Sequence, residues 1–434
     1  MESMQYNRPF VIIYCLGLYV SFAVTEPKLI PRLLTPTPDP SPRGEGIKDF
    51  SPRHFVIFVF FLIMVFTANS LFAAQWKAEP TISLQAVYDD NILFKDESDF
   101  ESRLTPGIDL SRHTGRLKVD LSGYLDIIRY LDNSQYDREN QDYRIRAEYA
   151  ASPKLSINVL SRAIIDYTFD EYWEEEGIFT ETGKRHAYTI SPGLYLALDE
   201  KTALEINVFY NMVNYSQEFN PDYDVLGASM SISRAVLDGR TVLFALTGFQ
   251  WAVYDLDYEE SEQRVYRLMM GAKRRFTESL DLSLSVGPMW IESRFDGLFF
   301  NIKEDDLSYA ADCALNWRME RTRLNLRLER SENQSTYGEN VTRNRVTTRI
   351  VHDLSSRWRA TMRGSFTQNE TEGFVRKRKN ESVNLNIGFI YVFTENTDIR
   401  MGYNYRRNEN KITDKTDKGN RVYLMYSWSF PKVW

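Results

Sequence analysis

The arginines of this sequence are the residues whose spacing most directly indicates chemistry. Guanidinium groups bind carboxylates through two parallel hydrogen bonds, so a surface that collects many of them attracts anionic or strongly hydrated solutes, uronic acids among them. A second interpretation is that they neutralise nearby acids such as Glu329 and hold a polar cavity open. The arginines that share the polar positions of alternating segments are Arg318, Arg323, Arg327, Arg343, Arg345, Arg349, Arg357, Arg359, Arg363, Arg400 and Arg406.

Acidic residues form two further sets. Asp120, Asp126, Asp166 and Glu205 occupy polar positions of earlier segments and are expected to face the arginines across a cavity. Other acids cluster between segments, at 96–101, 171–176, 255–260 and 304–306. Carboxylate clusters bind calcium, but none of these has EF-hand spacing, and we interpret them as solvated loop tips. We expect neither a metal site nor a cofactor.

Catalysis and nucleic-acid binding are weakly supported. The histidines after residue 75 are His113, His186 and His352, and a histidine-based hydrolase needs a serine or carboxylate partner. Only His186 is predicted at the loop-bearing end, so a surface hydrolase is the weakest alternative. The chain of 434 residues carries 53 Lys and Arg against 60 Asp and Glu, which argues against nucleic-acid binding. Two cysteines exclude a disulfide framework.

The elements that must position these side chains are strands. From Thr81 onward, apolar and polar residues alternate with a period of two, for example over 117–127, 280–286 and 383–391. The 26 Tyr, 26 Phe and 8 Trp also favour strands. The pattern predicts an all-β protein of about 18 strands, the first at 81–94 and the last at 420–430.

The connections between these strands alternate in length, which indicates a barrel. Every second connection is a tight turn, whereas the others include 95–101, 171–184, 255–262, 296–306 and 408–419. Short periplasmic turns and longer extracellular loops are typical of a closed antiparallel transmembrane β-barrel. The apolar face would then contact lipid and the polar face would surround a lumen. A soluble all-β protein is the alternative.

The first 74 residues differ in composition from the rest. An apolar run at 55–66 follows Arg53 and precedes small residues, which predicts a signal peptide at 55–74. Residues 1–54 are interpreted as an upstream region absent from the mature protein, with a membrane anchor followed by a Pro-rich linker as the alternative. The predicted barrel comprises residues 75–434, where Cys313 is the remaining cysteine.

The last predicted strand carries apolar and aromatic residues at alternate positions, at Leu424, Tyr426, Trp428 and Phe430. This pattern resembles the C-terminal signal that the barrel assembly machinery reads in Gram-negative outer-membrane proteins. The resemblance implies an outer-membrane location, in contact with lipid and lipopolysaccharide.

The segment 83–93 of the first predicted strand contains Tyr88 followed by Asp90, Asn91 and Ile92. It resembles the opening strand of the putative beta-barrel porin (type 2) family, which is often encoded beside exopolysaccharide synthesis or protein-sorting genes. The resemblance implies a porin-like channel and adds anionic polysaccharide as a candidate partner. A non-conducting structural or assembly component of an exopolysaccharide or surface-protein system is the alternative function.

Overall fold

The computed structural model describes residues 76–167, 183–216, 220–237, 239–256, 259–296, 301–334, 340–372 and 377–433. The predicted upstream region, the signal peptide and most of the predicted 171–184 loop lie outside the described residues. The predicted fold class, an antiparallel barrel of eighteen strands, is confirmed. The strands are β1 Trp76–Asp89, β2 Asp99–His113, β3 Leu117–Tyr130, β4 Arg138–Ser152, β5 Leu155–Tyr167, β6 Lys184–Ala197, β7 Thr202–Tyr215, β8 Asp222–Val236, β9 Thr241–Leu256, β10 Glu259–Arg275, β11 Leu280–Asp296, β12 Asn301–Arg318, β13 Thr322–Gln334, β14 Asn340–Asp353, β15 Trp358–Glu372, β16 Lys377–Thr394, β17 Thr397–Asn410 and β18 Lys415–Ser429.

The barrel closes between its first and last long strands. β1 pairs with β18 from Thr81 opposite Ser429 to Asp89 opposite Arg421, and every other long strand pairs with its neighbours in the chain. A two-residue strand, β19 (Lys432–Val433), extends this seam by pairing with Lys77 and Ala78. Closure removes the open sheet edges that a bilayer does not tolerate.

Several loops are shorter than the sequence indicates, because the strands continue into the polar segments. β9 ends at Leu256 and β10 begins at Glu259, so most of the predicted 255–262 loop is strand. Likewise β12 begins at Asn301, and only residues 411–414 separate β17 from β18. Strand pairing satisfies the hydrogen-bonding groups of the backbone in water as well as in lipid, so the strands continue beyond the membrane. The alternation of apolar residues ends at the membrane boundary, because side chains beyond it contact water on both faces. The loop predictions at 255–262, 296–306 and 408–419 were therefore too long.

The two faces of the barrel differ as predicted. Leu84, which pairs in register with both Leu104 and Tyr426, is 53% exposed on the outer face. Leu284 and Leu424 are each 54% exposed on the same face. Apolar side chains exposed in such rows are the lipid-facing surface of a transmembrane barrel. Leu160, 38% exposed, is an exception, since its register places it on the inner face of β5.

Aromatic residues mark one boundary of this apolar surface. Trp317, Trp358 and Trp428 point outward close to the turn-bearing end of β12, β15 and β18. A ring of tryptophans at this level is typical of the membrane interface. No helix in the described part of the chain is both long and apolar enough to cross a bilayer.

Candidate functional site: the inner face of the barrel

Register pairing shows which side chains share the inner face, because directly opposed residues of neighbouring strands point the same way. By this test ten of the eleven arginines named from the sequence lie on the face opposite the exposed apolar rows, whereas Arg357 lies in the turn between β14 and β15. All of these ten except Arg406 form a set that we call the arginine arc. It consists of Arg318, Arg323, Arg327, Arg343, Arg345, Arg349, Arg359, Arg363 and Arg400.

The arginine arc is rich in positive charge relative to its acidic neighbours. Among the described side chains of β13–β17, the inner face carries the arc arginines of those strands and Arg406, but only three carboxylates. These are Glu329, Asp353 and Asp398. The inner face of this part of the barrel is therefore strongly basic.

Four members of the arc form ion pairs that water still reaches. Arg327 contacts Asp312 at 2.5 Å, and Arg400 contacts Asp398 at 2.6 Å. Arg359 and Arg323 share Asp353, at 2.7 and 3.6 Å. The four arginine side chains are 41–50% exposed, and ion pairs this exposed contribute only about 0–1 kcal/mol to stability.

Three further members have no acidic partner among the described residues. Within the described part of the chain, no carboxylate lies within ion-pair distance of Arg318, Arg349 or Arg363, and all three side chains are exposed. Arg349 and Arg363 are direct register partners, so two like charges lie opposite each other. Arg343 and Arg345 donate to neutral groups, Asn369 at 3.1 Å and Thr367 at 3.3 Å. Neutralisation of nearby acids thus does not account for the whole arc.

The four predicted acidic residues also lie on the inner face, but each has a partner there. Asp166 forms a buried two-bond pair with Arg185, both bonds 2.8 Å long. Asp126 accepts from Thr105 at 2.5 Å.

Asp120 contacts His113 at 2.9 Å, and Glu205 accepts from Asn207 at 3.3 Å. The sequence did not indicate the basic residues on the same strands, such as Arg162, which binds Asp142 at 2.8 Å. The inner face of the early strands therefore carries paired charges of both signs.

The strands between these two regions carry an uncharged inner face that the sequence did not reveal. The described inner residues of β8 and β9 include no Asp, Glu, Lys or Arg. Val225, Ala252 and Tyr254 form one apolar cluster there, and Leu246 forms a second with Met269 of β10 and Ala310 of β12. The run at 242–246 is apolar at every position, so alternation cannot assign its faces.

A buried ionic cluster joins the two ends of the barrel wall. We call it the closing cluster: Asp89, Glu101, Arg103, Arg406 and Arg421. Arg406 Nη2 lies 2.9 Å from both Asp89 carboxylate oxygens, and Arg421 Nη2 lies 2.7 Å from Glu101. Arg421 also contacts Asp89 at 3.2 Å, and Arg103 contacts Glu101 at 2.9 Å. The cluster links β1 and β2 to β17 and β18.

The motif that carried the family resemblance lies beside this cluster. Asp90 accepts two bonds of 2.6 Å from the backbone and side chain of Asn420, and Asn91 donates to the Lys418 carbonyl at 2.7 Å. Ile92 is buried against Ile128. The motif thus joins the end of β1 to β18 through hydrogen bonds.

The C-terminal residues lie at the opposite end of the same seam. Leu424, Tyr426 and Trp428 point outward from β18. Phe430 follows the strand, with its ring 3.9 Å from that of Trp428 between centroids. Their role as an assembly signal remains a prediction.

The remaining chemical candidates are dispersed. His186 lies on the outward face of β6, paired in register with Ile165 and Asn214. His352 contacts Thr322 at 2.8 Å near a turn. Groups of three or more potential metal ligands are not found among the described residues.

The chain is similar to known outer-membrane proteins. The family described as Putative beta-barrel porin 2 matches residues 222–428, which confirms the resemblance seen in the sequence. No curated protein matches the chain. Together with the closed barrel and its apolar outer face, the family match identifies a porin-like β-barrel of the Gram-negative outer membrane.

Solved structures include similar barrels. The ferric citrate transporter FecA is 13% identical with a TM-score of 0.48, and the match covers 77% of this chain and 60% of FecA. The outer membrane protein OpdK of Pseudomonas aeruginosa is 12% identical with a TM-score of 0.43, covering 83% of this chain and 99% of OpdK. OccK2 of the same organism, solved with glucuronate, is 11% identical with a TM-score of 0.44, covering 82% of this chain and 98% of OccK2.

Proposed function

We propose that the protein is a passive outer-membrane channel for polar solutes, with a preference for anions. The observation that carries this proposal is the exposed charge of Arg349 and Arg363 on the inner face, where no carboxylate of the described residues lies within ion-pair distance of either. Barrels of this strand number generally enclose an aqueous passage. Positive side chains along such a passage raise the local concentration of anions and lower that of cations.

The architecture supports passage rather than catalysis. The inner face offers many weakly bound guanidinium groups spread over neighbouring strands, whereas an enzyme requires a nucleophile and a base held together. The histidine with the most suitable position in the sequence, His186, points outward. The proposal therefore assigns the protein no catalytic step.

The proposed partners follow from the surface. The apolar outer rows contact outer-membrane lipid and lipopolysaccharide, and the C-terminal aromatic strand is the proposed signal for the barrel assembly machinery. The signal peptide at 55–74 belongs to the same proposal, and N-terminal sequencing of protein purified from outer membranes tests it. A chain beginning well before residue 75 would contradict that cleavage.

Conductance in planar bilayers tests the proposed function. The wild-type protein should give discrete current steps, and its reversal potential across a salt gradient should have the sign of an anion-preferring channel. Arg349→Glu combined with Arg363→Glu should move the reversal potential toward cation preference, because four units of charge change in the lumen. A flat current from correctly folded protein would overturn the proposal in favour of a structural component.

The matched control is Arg144→Glu combined with Arg162→Glu. These two arginines lie on the inner faces of β4 and β5 and share Asp142. If both double variants move the reversal potential equally, the total charge matters and the arginine arc is not the selective element.

A further inference from the structure

Register pairing joins polar side chains of the inner face into one row across six strands. Each member is the direct partner of the next, from β12 to β17. We call this row the polar ramp. Its members are Asn316, Asn325, Arg349, Arg363, Asn386 and Asn404.

The polar ramp changes its level along the barrel axis from β12 to β17. Asn316 lies close to Arg318, where β12 meets its turn. At the other end, Asn404 pairs with Arg421, which is the partner of Asp89 at the loop end of β1. Strands of a closed barrel are tilted from its axis, so a row perpendicular to them winds upward as it goes round. The ramp therefore runs from the turn-bearing end toward the loop-bearing end.

The chemistry of the ramp suits hydroxyl and carboxylate groups. Four members are asparagines, whose amides both donate and accept hydrogen bonds, and two are guanidiniums, which bind carboxylates. No member of the ramp is buried. Two of the amides hydrogen-bond to each other, since Asn325 donates to Asn316 at 2.5 Å, and Asn404 donates to Asn384, which lies beside the ramp, at 2.6 Å.

The arrangement fits an extended ligand better than a compact one. Neighbouring members lie on adjacent strands about 4.8 Å apart, so the donors are spread along a line instead of converging on one point. A small anion contacts only one or two members at a time. A chain of sugar rings can contact several members at once.

We infer that the polar ramp is a binding track for an extended, polyhydroxylated anion, a glycan that contains uronic acids. This inference rests on the proposed channel function and names its substrate class. Carboxylates of the glycan bind Arg349 and Arg363, and its hydroxyl groups exchange hydrogen bonds with the asparagines on either side. Individual contacts are weak and exposed, which allows the chain to advance from one member to the next.

The test measures how binding depends on glycan length. Galacturonic acid, its trimer and its hexamer are titrated against the full chain in detergent micelles by calorimetry, and against the open channel in bilayers by current block. Because several weak contacts act together, the hexamer should bind at least about tenfold more tightly than the monomer. A neutral maltohexaose should bind more weakly than the galacturonate hexamer, since it lacks the carboxylates.

Arg349→Gln combined with Arg363→Gln should weaken hexamer binding by about tenfold or more, with monomer binding changed much less. Arg144→Gln combined with Arg162→Gln removes the same charge away from the ramp and should leave hexamer binding within about twofold. Heat-dependent migration in gels, which distinguishes folded from unfolded barrels, shows that each variant is folded.

Equal affinity for monomer and hexamer would overturn the track, as would equal weakening by the two double variants. The experiments distinguish failure of the channel proposal from failure of the track. A flat current with length-dependent binding in micelles contradicts conduction but supports the track. Normal anion-selective current without length-dependent binding contradicts the track alone.

Discussion

Arginine occurs in two environments in this barrel, the closing cluster and the arginine arc. In the closing cluster, the Asp89 side chain is 4% exposed and that of Glu101 is fully buried, and each carboxylate contacts two guanidiniums. In the arc, the ion-paired guanidiniums are 41–50% exposed, and three members have no carboxylate partner in the part of the chain that the structure describes.

This difference in burial predicts different roles for the two sets of arginines. Removing one partner of a buried ion pair leaves an uncompensated charge and costs about 3–5 kcal/mol, whereas exposed pairs contribute about 0–1 kcal/mol. The closing cluster is therefore placed to hold the first and last strands together. The exposed ion pairs of the arc contribute little to stability, and under the proposed function its exposed guanidiniums meet the solutes.

The largest expected effect is on stability at the seam. Asp89→Asn should lower the free energy of unfolding by about 3–5 kcal/mol, because Arg406 loses its charged partner. Urea unfolding of the protein refolded into lipid vesicles measures this change. Asp398→Asn, which removes the exposed partner of Arg400, is the control and should cost under about 1 kcal/mol. If the two substitutions cost the same, burial does not distinguish the regions.

A double-mutant cycle measures the coupling directly. Asp89→Asn and Arg406→Gln should be less destabilising together than the sum of the single variants, with a coupling energy of about 0.5–3 kcal/mol. The same cycle on Asp398 and Arg400 should give a coupling energy near zero. A strongly coupled exposed pair would show that this part of the arc is structural.

The smallest expected effect concerns the opposed arginines. Arg349→Gln combined with Arg363→Gln should change the free energy of unfolding by no more than about 0.5 kcal/mol, with the sign toward stabilisation, because like charges directly opposite one another are unfavourable. The same urea titration measures it. A loss of several kcal/mol would mean that these side chains support the wall.

Alternation in the sequence predicted some strands correctly and failed for parts of others. The alternation at 117–127 is local, and it identified β3 and its two faces correctly. The continuation of β9 and β10 to Leu256 and Glu259 was missed, because the many charged residues at 255–262 interrupt the alternation while the backbone pairing persists. The inner apolar face at 242–246 was missed for the opposite reason, since both faces are apolar.

The sequence by itself determined the barrel, its eighteen strands and the face on which each arginine of the arc lies. The strands and their faces follow from a period of two residues, which is a property of the extended chain and needs no distant contact. The barrel follows from the alternation of short and long connections along the chain. The sequence also located the motif at 88–92 through its resemblance to a porin family. It did not reveal that this motif joins the first strand to the last.

Tertiary structure alone decided which arginines form ion pairs with the described carboxylates. Asp89 and Arg406 lie 317 positions apart, and only closure of the barrel in a fixed register brings them together. The same register aligned residues of six strands into the polar ramp. Register depends on how each strand pairs with its neighbours around the closed wall, and no local pattern in a single strand specifies it.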